Sequence, residues 1–158
     1  MRRSSGETVS PDEARSLALR YLARRDYATR ELEQKLVQRG AKAAAAAQVV
    51  DALVAEGLMN DARFAENYCR LKVAGGQGAQ RMRAGLRQRG VDEALVDQAL
   101  AAYAGDWEDA ALAFLGRRAG DLGNEKERAR LYRAGLRRGF SHEQVMRAID
   151  RLRRERAV

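Results

Sequence analysis

The chain has 158 residues, of which 46% are hydrophobic and 33% are charged, a length that suits one compact domain or a few small packed modules. This balance excludes an intrinsically disordered chain, and no stretch approaches the roughly 18 apolar residues that a membrane helix needs. The arginines at positions 2 and 3 are not followed by an apolar run, so a secretory signal is not expected. The single cysteine, Cys69, excludes an internal disulfide and is typical of a reducing compartment. We therefore expect a cytoplasmic protein.

The charge of the chain is strongly basic. Basic side chains outnumber acidic ones by 30 to 22, which gives a formal net charge of +8. The excess is largest at the C-terminal end, where residues 120–158 carry 11 basic and 6 acidic side chains. A protein of this charge favours a polyanionic partner, first a nucleic acid and second an acidic protein surface.

The composition predicts an all-α protein. Alanine occurs 30 times and proline only once, at Pro11, whereas β-branched and aromatic residues are sparse. Residues that start and stop helices divide the chain into nine helices. The first predicted helix begins at a capping box at Ser10 and ends at about Arg24, the second runs from a Thr29 cap to Gly40, and the third runs from the alanines at 43 to Gly57. The fourth begins at an Asn60 cap and stops at the loop 75–78, the fifth ends at Gly90, and the sixth and seventh are capped by Asp92 and Asp106. The eighth runs from near Asn124 to Gly139, and the ninth begins at a second capping box at Ser141.

A segment of about fifty residues recurs along the chain. Residues 83–90 (RAGLRQRG) recur as residues 133–139 (RAGLRRG), and a weaker copy lies at 33–40. Apolar residues at helical spacing precede and follow each copy, so each repeat contains three helices. We predict three tandem three-helix repeats in an elongated, curved arrangement, because stacked repeats pack only on their neighbours. The predicted divisions are a flexible N-terminus over 1–9, repeats over 10–57 and 58–104, and a third repeat with a basic C-terminal tail over 105–158.

Residue types needed for catalysis or metal binding are scarce. His142 is the only histidine, and it is far in sequence from the only cysteine, Cys69. We interpret His142 as an exposed turn residue and Cys69 as a small buried apolar side chain. A hydrolase or nuclease would lack its cluster of metal-binding carboxylates. The sequence therefore predicts neither an enzyme nor a bound cofactor or metal.

Glycines stand at two notable kinds of position. The loop 75–78 (GGQG) precedes a predicted helix, so its amides could hold a phosphate. A flexible linker is the favoured interpretation, because the Lys-Ser/Thr pair of a nucleotide-binding loop is missing. Gly85 and Gly135 lie inside predicted helices at matching repeat positions, where we expect close helix packing.

Arginines at helical spacing are the main functional signal. Arg83 and Arg87 are four residues apart on one face of the predicted fifth helix, and Arg81 and Arg89 flank them. The other repeats carry basic residues at related positions, namely Lys35, Arg39, Arg130, Arg133, Arg137 and Arg138. Such a stripe suits phosphates or the carboxylates of a protein filament, and a solvated face mixed with acids is the alternative. The few aromatic residues fall at core-like positions, so stacking on bases is only weakly supported.

A distinctive string of residues accompanies the repeat. Residues 57–65 read GLMNDARFA, and they are followed by GAQRMR at 78–83 and LRQRGV at 86–91. Together with the repeat and the chain length, these segments resemble the RecX family, bacterial regulators of the RecA recombinase. The resemblance covers about residues 13 to 152, and segments at 27–36 and 132–141 also fit it. Position 79 is alanine where proline is expected in this family, a departure that could loosen the start of the fifth helix.

The resemblance implies both an activity and partners. It implies a non-enzymatic protein of three three-helix repeats that lies in the groove of the RecA–DNA filament. There it would limit filament extension and dampen ATP hydrolysis and strand exchange. The implied partners are the RecA filament and, more weakly and without sequence specificity, single- and double-stranded DNA, with no membrane.

The residues that match the family motif divide into structural and binding candidates. Phe64, Ala65 and Leu86 are assigned to the core, and Asp61 to the start of a helix. Arg63 and Arg81 are the strongest binding candidates. The full set of candidates for contact with RecA or DNA is Arg63, Arg70, Lys72, Arg81, Arg83, Arg87, Arg89, Arg133, Arg137 and Arg138.

Two functional classes stay open at this point. One is a regulator that binds a recombinase filament, and the other is a stand-alone helical-repeat protein that binds nucleic acid through a basic stripe. A monomer is expected, and exchange of repeats through the glycine-containing loops leaves a swapped dimer open.

Overall fold

The computed structural model describes residues 8–157, and within that range the chain forms nine α-helices. The all-α prediction of three consecutive three-helix units is confirmed. The described residues form one β-type contact, an isolated bridge between Val9 and Ala41. None of their helices combines the length and apolarity required to cross a membrane. The helices are α1 (Pro11–Arg24), α2 (Thr29–Gln38), α3 (Ala43–Ala55), α4 (Asp61–Ala74), α5 (Ala79–Gln88), α6 (Glu93–Ala101), α7 (Trp107–Gly116), α8 (Glu125–Arg137) and α9 (His142–Arg156).

Side-chain caps explain where most of the helices begin. The Ser10 side chain accepts a hydrogen bond from the amide of Glu13, and Pro11 occupies the first helical position, where its missing N–H costs nothing. The Asn60, Asp106, Asn124 and Ser141 side chains cap α4, α7, α8 and α9 in the same way. The predictions for these starts are confirmed. Asp92 stands at the cap of α6, but its side chain makes no cap hydrogen bond.

The predicted cap of α2 is wrong by one residue. Ala28 is the N-cap, and the Glu31 carboxylate accepts a hydrogen bond from its amide at 3.3 Å. Thr29 instead lies in the first turn, where its hydroxyl donates to Asp61 in the second unit. Thr29 thus links the first and second units, because the acceptor of its hydroxyl group lies on α4.

Glycines in the left-handed region end the second helix of each unit. Gly90 follows α5 with φ 77° and Gly139 follows α8 with φ 96°, a conformation that residues with a Cβ rarely adopt. The amides of Val91 and Phe140, one residue further on, donate to carbonyls of the last helical turn, and the chain then reverses. Gly40 has the same conformation after α2, so the predicted helix ends at all three glycines are confirmed.

Each unit buries its own hydrophobic cluster. The largest fully buried side chains include Leu32, Leu36 and Leu53 in the first cluster, Met82, Leu86 and Val96 in the second, and Leu115, Leu131 and Phe140 in the third. Three residues cross the predicted divisions between one repeat and the next. Met59 belongs to the first cluster, whereas Ala28 and Trp107 pack on the second. Trp107 does so beside Tyr103, with ring centroids 4.5 Å apart.

The N-terminal segment differs in part from its prediction. Residues 1–7 of the segment expected to be flexible lie outside the described residues. Val9 is buried, and its amide donates to the Gly40 carbonyl at 3.0 Å. Val9 is therefore part of the first core and not of a flexible segment.

The loop 75–78 is a packed junction between the second and third units, which departs from the linker interpretation. The Gly78 amide donates to the Arg138 carbonyl at 2.7 Å, and the Gln80 amide donates to the Gly139 carbonyl at 3.0 Å. A Cβ at Gly78 would lie 2.5 Å from the backbone of Gly139 and Phe140. The start of α5 thus meets the end of α8 backbone to backbone, and the Gly78 amide is not available to a phosphate.

The two glycines inside helices are explained by close packing, as predicted. A Cβ at Gly85 would lie 2.0 Å from the Tyr68 hydroxyl, and a Cβ at Gly135 would lie 2.7 Å from a methyl group of Val145. Each glycine lets the first or third helix of its unit approach the second.

Candidate functional site

The predicted arginine pair on α5 is bound to carboxylates of the neighbouring helix. The Arg83 guanidinium lies 2.6 Å from Asp97 Oδ1 and 3.3 Å from Glu93 Oε2. Arg87 also binds Glu93, and this hydrogen bond holds the pKa of the Glu93 carboxyl below its ordinary value. Both arginines therefore lie on one helix face, as predicted, but acids of α6 offset their charge.

The equivalent arginine pair on α8 carries no such partners. Arg133 and Arg137 are exposed, and neither side chain has a hydrogen bond or ion pair to any of the described residues. The reason lies in the next helix. Three and seven residues after the left-handed glycine that ends the preceding helix, α6 carries the acids that bind Arg83 and Arg87, whereas α9 carries His142 and Met146. The unit-3 pair thus keeps its full charge.

Arg81 does not share the surface of Arg83 and Arg87. It lies in the first turn of α5 and faces the third unit, where its guanidinium donates to the Arg137 carbonyl at 3.4 Å. The sequence placed these three arginines in one cluster, but the structure separates them, because residues two apart on a helix point in different directions.

Arg138 joins the second and third units close to the contact between Arg81 and the Arg137 carbonyl. Its guanidinium donates to the carbonyls of Gly75 at 2.6 Å and Gly76 at 3.3 Å, and it lies 5.1 Å from the centroid of the Phe114 ring. Arg118 lies over the same ring at 4.0 Å. Desolvation, and then the charges of Arg81 and Arg118, lower the pKa of the Arg138 guanidinium. Three arginines, one from the first turn of α5 and two from the turns that follow α7 and α8, therefore converge on one junction.

Arg89 occupies the corresponding place between the first and second units. Its guanidinium lies 3.6 Å from Glu31 Oε2 and 5.0 Å from the centroid of the Tyr68 ring, and it donates to the Gly85 carbonyl at 2.9 Å. Glu31 also binds Arg25 at 3.2 Å. Arg89 is therefore a partly buried residue of a junction, and a carboxylate of this chain already neutralises it.

The remaining candidates lie on α4. Arg63 is exposed, and its side chain has no polar partner among residues 8–157. Arg70 donates to the Asn67 side chain, and the Lys72 ammonium lies 5.4 Å from the centroid of the Tyr68 ring. Lys72 therefore shares an aromatic ring with Arg89, whereas no contact joins Arg63 or Arg70 to the other candidates.

The surroundings of His142 and Cys69, the two residues considered for catalysis, do not activate either side chain for chemistry. The exposed His142 begins α9, and its Nδ1 lies 2.8 Å from the Tyr132 hydroxyl. Cys69 is buried, and burial raises the pKa of its thiol to about 11, so the reactive thiolate is disfavoured. Residues 8–157 contain no group of three or more His, Cys, Asp or Glu side chains placed to hold a metal ion.

Sequence reasoning missed Arg118. It follows Phe114 by one turn at the end of α7, as Lys72 follows Tyr68 by one turn in α4. Aligning the first helices of the second and third units would have shown this correspondence. The repeat is most evident in the second helices, where the RAGLR string lies.

Comparison with known proteins agrees with the three-unit organisation. Sequence models of the first, second and third three-helix domains of RecX match residues 14–53, 60–100 and 106–149. The Regulatory protein RecX of Chromohalobacter salexigens is 43% identical over 133 residues, which cover 84% of this chain and 88% of that protein. The Regulatory protein RecX of Halorhodospira halophila is 41% identical over 139 residues, which cover 87% and 86%.

Solved structures show the same fold. The crystal structure of RecX from Lactobacillus salivarius superposes with a TM-score of 0.76 at 21% sequence identity, over 90% of this chain and 96% of that one. A second crystal structure, of the regulatory protein RecX, gives 0.74 at 20% identity over 89% of this chain and 71% of that one. The matched domains and the identity over most of the chain show that this protein belongs to the RecX family of regulatory proteins.

Proposed function

We propose that this protein binds the RecA–DNA filament and limits its extension, its ATP hydrolysis and strand exchange, without catalysing a reaction itself. Membership of a family of regulatory proteins supports a regulatory role. A bacterial recombinase works on chromosomal DNA, so this function requires a cytoplasmic protein.

The observation that carries the proposal is the uncompensated pair Arg133 and Arg137 on α8. The two guanidinium groups lie one helical turn apart on one face, and no carboxylate of the described residues offsets them. A guanidinium offers a planar fork of donors that fits both phosphate and carboxylate groups. A filament of protein and DNA presents both groups, so we assign the main contact to this face of α8.

The unpaired arginines of α8 are equally consistent with the second candidate function, that of a stand-alone nucleic-acid-binding protein. The two functions differ in the concentration at which they act. A regulator inhibits RecA ATP hydrolysis at protein concentrations too low to occupy free DNA, whereas a competitor for DNA inhibits only as it covers the strand. A titration that records ATP hydrolysis and DNA occupancy together separates them, and identical dose curves would favour competition.

A matched pair of variants tests the assigned face. Arg133→Ala with Arg137→Ala removes the unpaired arginines, and Arg83→Ala with Arg87→Ala removes the equivalent arginines that α6 already neutralises. Both variants lose two positive charges from the second helix of a unit. We expect the α8 variant to need about tenfold more protein for half-inhibition, as for the loss of charge-assisted hydrogen bonds.

The α5 variant is expected to stay within about twofold of the wild type, since it exchanges exposed ion pairs for alanine. Thermal unfolding should be near that of the wild type in both variants, because alanine favours helix and the replaced side chains lie outside the cores. Equal loss in both variants would indicate that only net charge matters, and the assignment to α8 would then be withdrawn.

A further inference from the structure

The two junctions between units are built from equivalent positions. The eighth residue of α4 is Tyr68 and that of α7 is Phe114. Each ring lies under the arginine at the C-cap of the next helix, Arg89 or Arg138. Four residues after each ring a second cation contacts it, Lys72 in the first junction and Arg118 in the second. The aromatic ring and the two cations that lie on it therefore correspond in the two junctions.

The junctions differ in sign of charge at the third residue of the helix that enters each junction. This residue is Glu31 in α2 and Arg81 in α5. The first junction also has Arg25 and Arg30, where the second has the uncharged Gly75 and Gln80. Glu31 accepts from Arg25 and lies 3.6 Å from Arg89, so the first junction contains its own anion. The second junction has a further cation there, and no carboxylate of the described residues pairs with Arg81, Arg118 or Arg138.

The three guanidinium groups of the second junction keep most of their donors. Arg138 uses two of its nitrogens on the carbonyls of Gly75 and Gly76, and these bonds fix its orientation. Arg81 and Arg118 each donate one hydrogen bond to a backbone carbonyl. Since each guanidinium has five N–H donors, most donors of the cluster stay free for a ligand.

We propose that Arg81, Arg118 and Arg138 bind a phosphate of a nucleic-acid backbone, which takes the place that the Glu31 carboxylate holds in the first junction. This inference rests on the proposed function and names the part of the protein that touches DNA rather than RecA. A bound phosphate would bridge α5 and the turns that follow α7 and α8, and it would offset the mutual repulsion of the three arginines. DNA binding would therefore stiffen the contact between the second and third units.

The surroundings favour a polyanion over a single small anion. Arg130 donates to the Arg118 carbonyl at 2.8 Å, and Arg81 donates to the Arg137 carbonyl at the other end of the same helix. Arg130, which also pairs with Glu127 at 2.5 Å, and the unpaired Arg133 and Arg137 follow one face of α8, over about 10 Å at the rise of an α-helix. A row of cations that starts at the junction suits successive phosphates of one strand, whereas an isolated ion would need only the cluster.

The test uses a fluorescent single-stranded thymidine oligonucleotide without RecA. Arg81→Glu places in the second junction the residue that the first junction has, and glutamate at the third position of a helix is favourable, so the variant should fold. Arg83→Glu on the same helix is the control with the same change of charge. We expect Arg81→Glu to weaken binding about tenfold or more and to reduce the salt slope by about 0.7 for one lost phosphate.

Removal of the carboxylate from the first junction tests the same correspondence, because it should increase the affinity for DNA. Glu31→Gln keeps the hydrogen-bonding role of the residue at Ala28 but removes the anion from the first junction. We expect this variant to bind the oligonucleotide several-fold more tightly than the wild type, because Arg25, Arg89 and Lys72 lose their internal counter-ion. A variant that binds no more tightly than the wild type counts against the correspondence of the junctions.

The remaining outcomes separate this inference from the proposed function. Unchanged oligonucleotide affinity in Arg81→Glu, or an equal loss in Arg83→Glu, overturns the phosphate site. Loss of RecA inhibition with unchanged oligonucleotide affinity also overturns it and assigns the cluster to an acidic protein surface. A wild-type protein that binds the oligonucleotide as expected but does not inhibit RecA leaves the phosphate site in place and refutes the proposed function.

Discussion

Thr29 and Asp61 are joined by two hydrogen bonds across the junction of the first and second units. The Thr29 amide donates to Asp61 Oδ1 at 2.9 Å, and the Thr29 hydroxyl donates to Asp61 Oδ2 at 2.8 Å. One carboxylate at the start of α4 thereby satisfies a free amide in the first turn of α2. Because the amide has no other acceptor in its own helix, the contact fixes how the two units meet.

The loss of this carboxylate is expected to destabilise the protein. Asp61→Ala leaves the partly buried Thr29 amide without its acceptor, which costs about 1–3 kcal/mol of unfolding free energy. Asp51→Ala, on the exposed face of α3, is the control and should lie within about 0.5 kcal/mol of the wild type. Urea denaturation followed by circular dichroism measures both, and equal stability of the two variants would contradict the role of Asp61.

Packing at the second junction makes Gly78 irreplaceable. A Cβ there would lie 2.5 Å from the backbone of Gly139 and Phe140, which cannot move aside as a flexible side chain can. Gly78→Ala should therefore lower stability by about 1–3 kcal/mol through overpacking. The nearby Gly75→Ala is a suitable control, because its Cβ would meet only ordinary contacts at 3.5 Å and beyond.

Hydrogen exchange can locate the damage in the Gly78→Ala variant. The amides of Gly78 and Gln80, which donate to the end of α8, should exchange faster than in the wild type. Unchanged protection of both amides would show that the two units do not depend on this contact.

The core of the second unit gives a prediction for Leu86. Its side chain is 0% exposed, so Leu86→Ala should cost about 2–5 kcal/mol by removing buried apolar surface and leaving a cavity. Leu71 on α4 is 71% exposed, and Leu71→Ala should change the stability by about 0.5 kcal/mol or less. Thermal or urea unfolding of the two variants would refute this assignment of the core if the two losses were equal.

The thiol of Cys69 should be unreactive in the folded protein. Burial raises its pKa to about 11, so at pH 8 nearly all of the thiol stays protonated, and a disulfide reagent should label it slowly unless urea is added. The folded pKa lies above the ordinary value of 9.0, so the unfolded chain releases its proton first. The contribution of Cys69 to stability is therefore complete below about pH 9 and declines as the pH rises towards 11.

A Cys69→Ala variant isolates this contribution. Its unfolding free energy should fall less than that of the wild type between pH 9 and 11, because it has no thiol to ionise. Parallel losses in the two proteins would assign the alkaline effect to other groups.

The start and end of most helices could be predicted because these signals are local. Ser10, Asn60 and Ser141 bond to amides within their own first turn, and Gly90 and Gly139 adopt a backbone conformation that no neighbour needs to impose. The apolar spacing that produces the three cores is local in the same sense. A repeat of such units could therefore be recognised from the sequence alone.

The partners of the charged residues depend on the packing of helices, and here the sequence was insufficient. The same RAGLR string places Arg83 and Arg87 beside the acids of α6 but leaves Arg133 and Arg137 without partners beside α9. Thr29 looked like a cap because its distant acceptor, Asp61, could not be foreseen.

Residue type and spacing by themselves determined the all-α fold, the three-unit division and the basic character of the surface, because helix propensity, capping and charge act within a few residues. Only the tertiary structure decided that Arg81 leaves the α5 pair to join Arg118 and Arg138, and that Glu31 neutralises Arg89. These contacts join residues about 20 to 60 positions apart. Whether a cation is neutralised therefore depends on how the units meet, which no local pattern specifies.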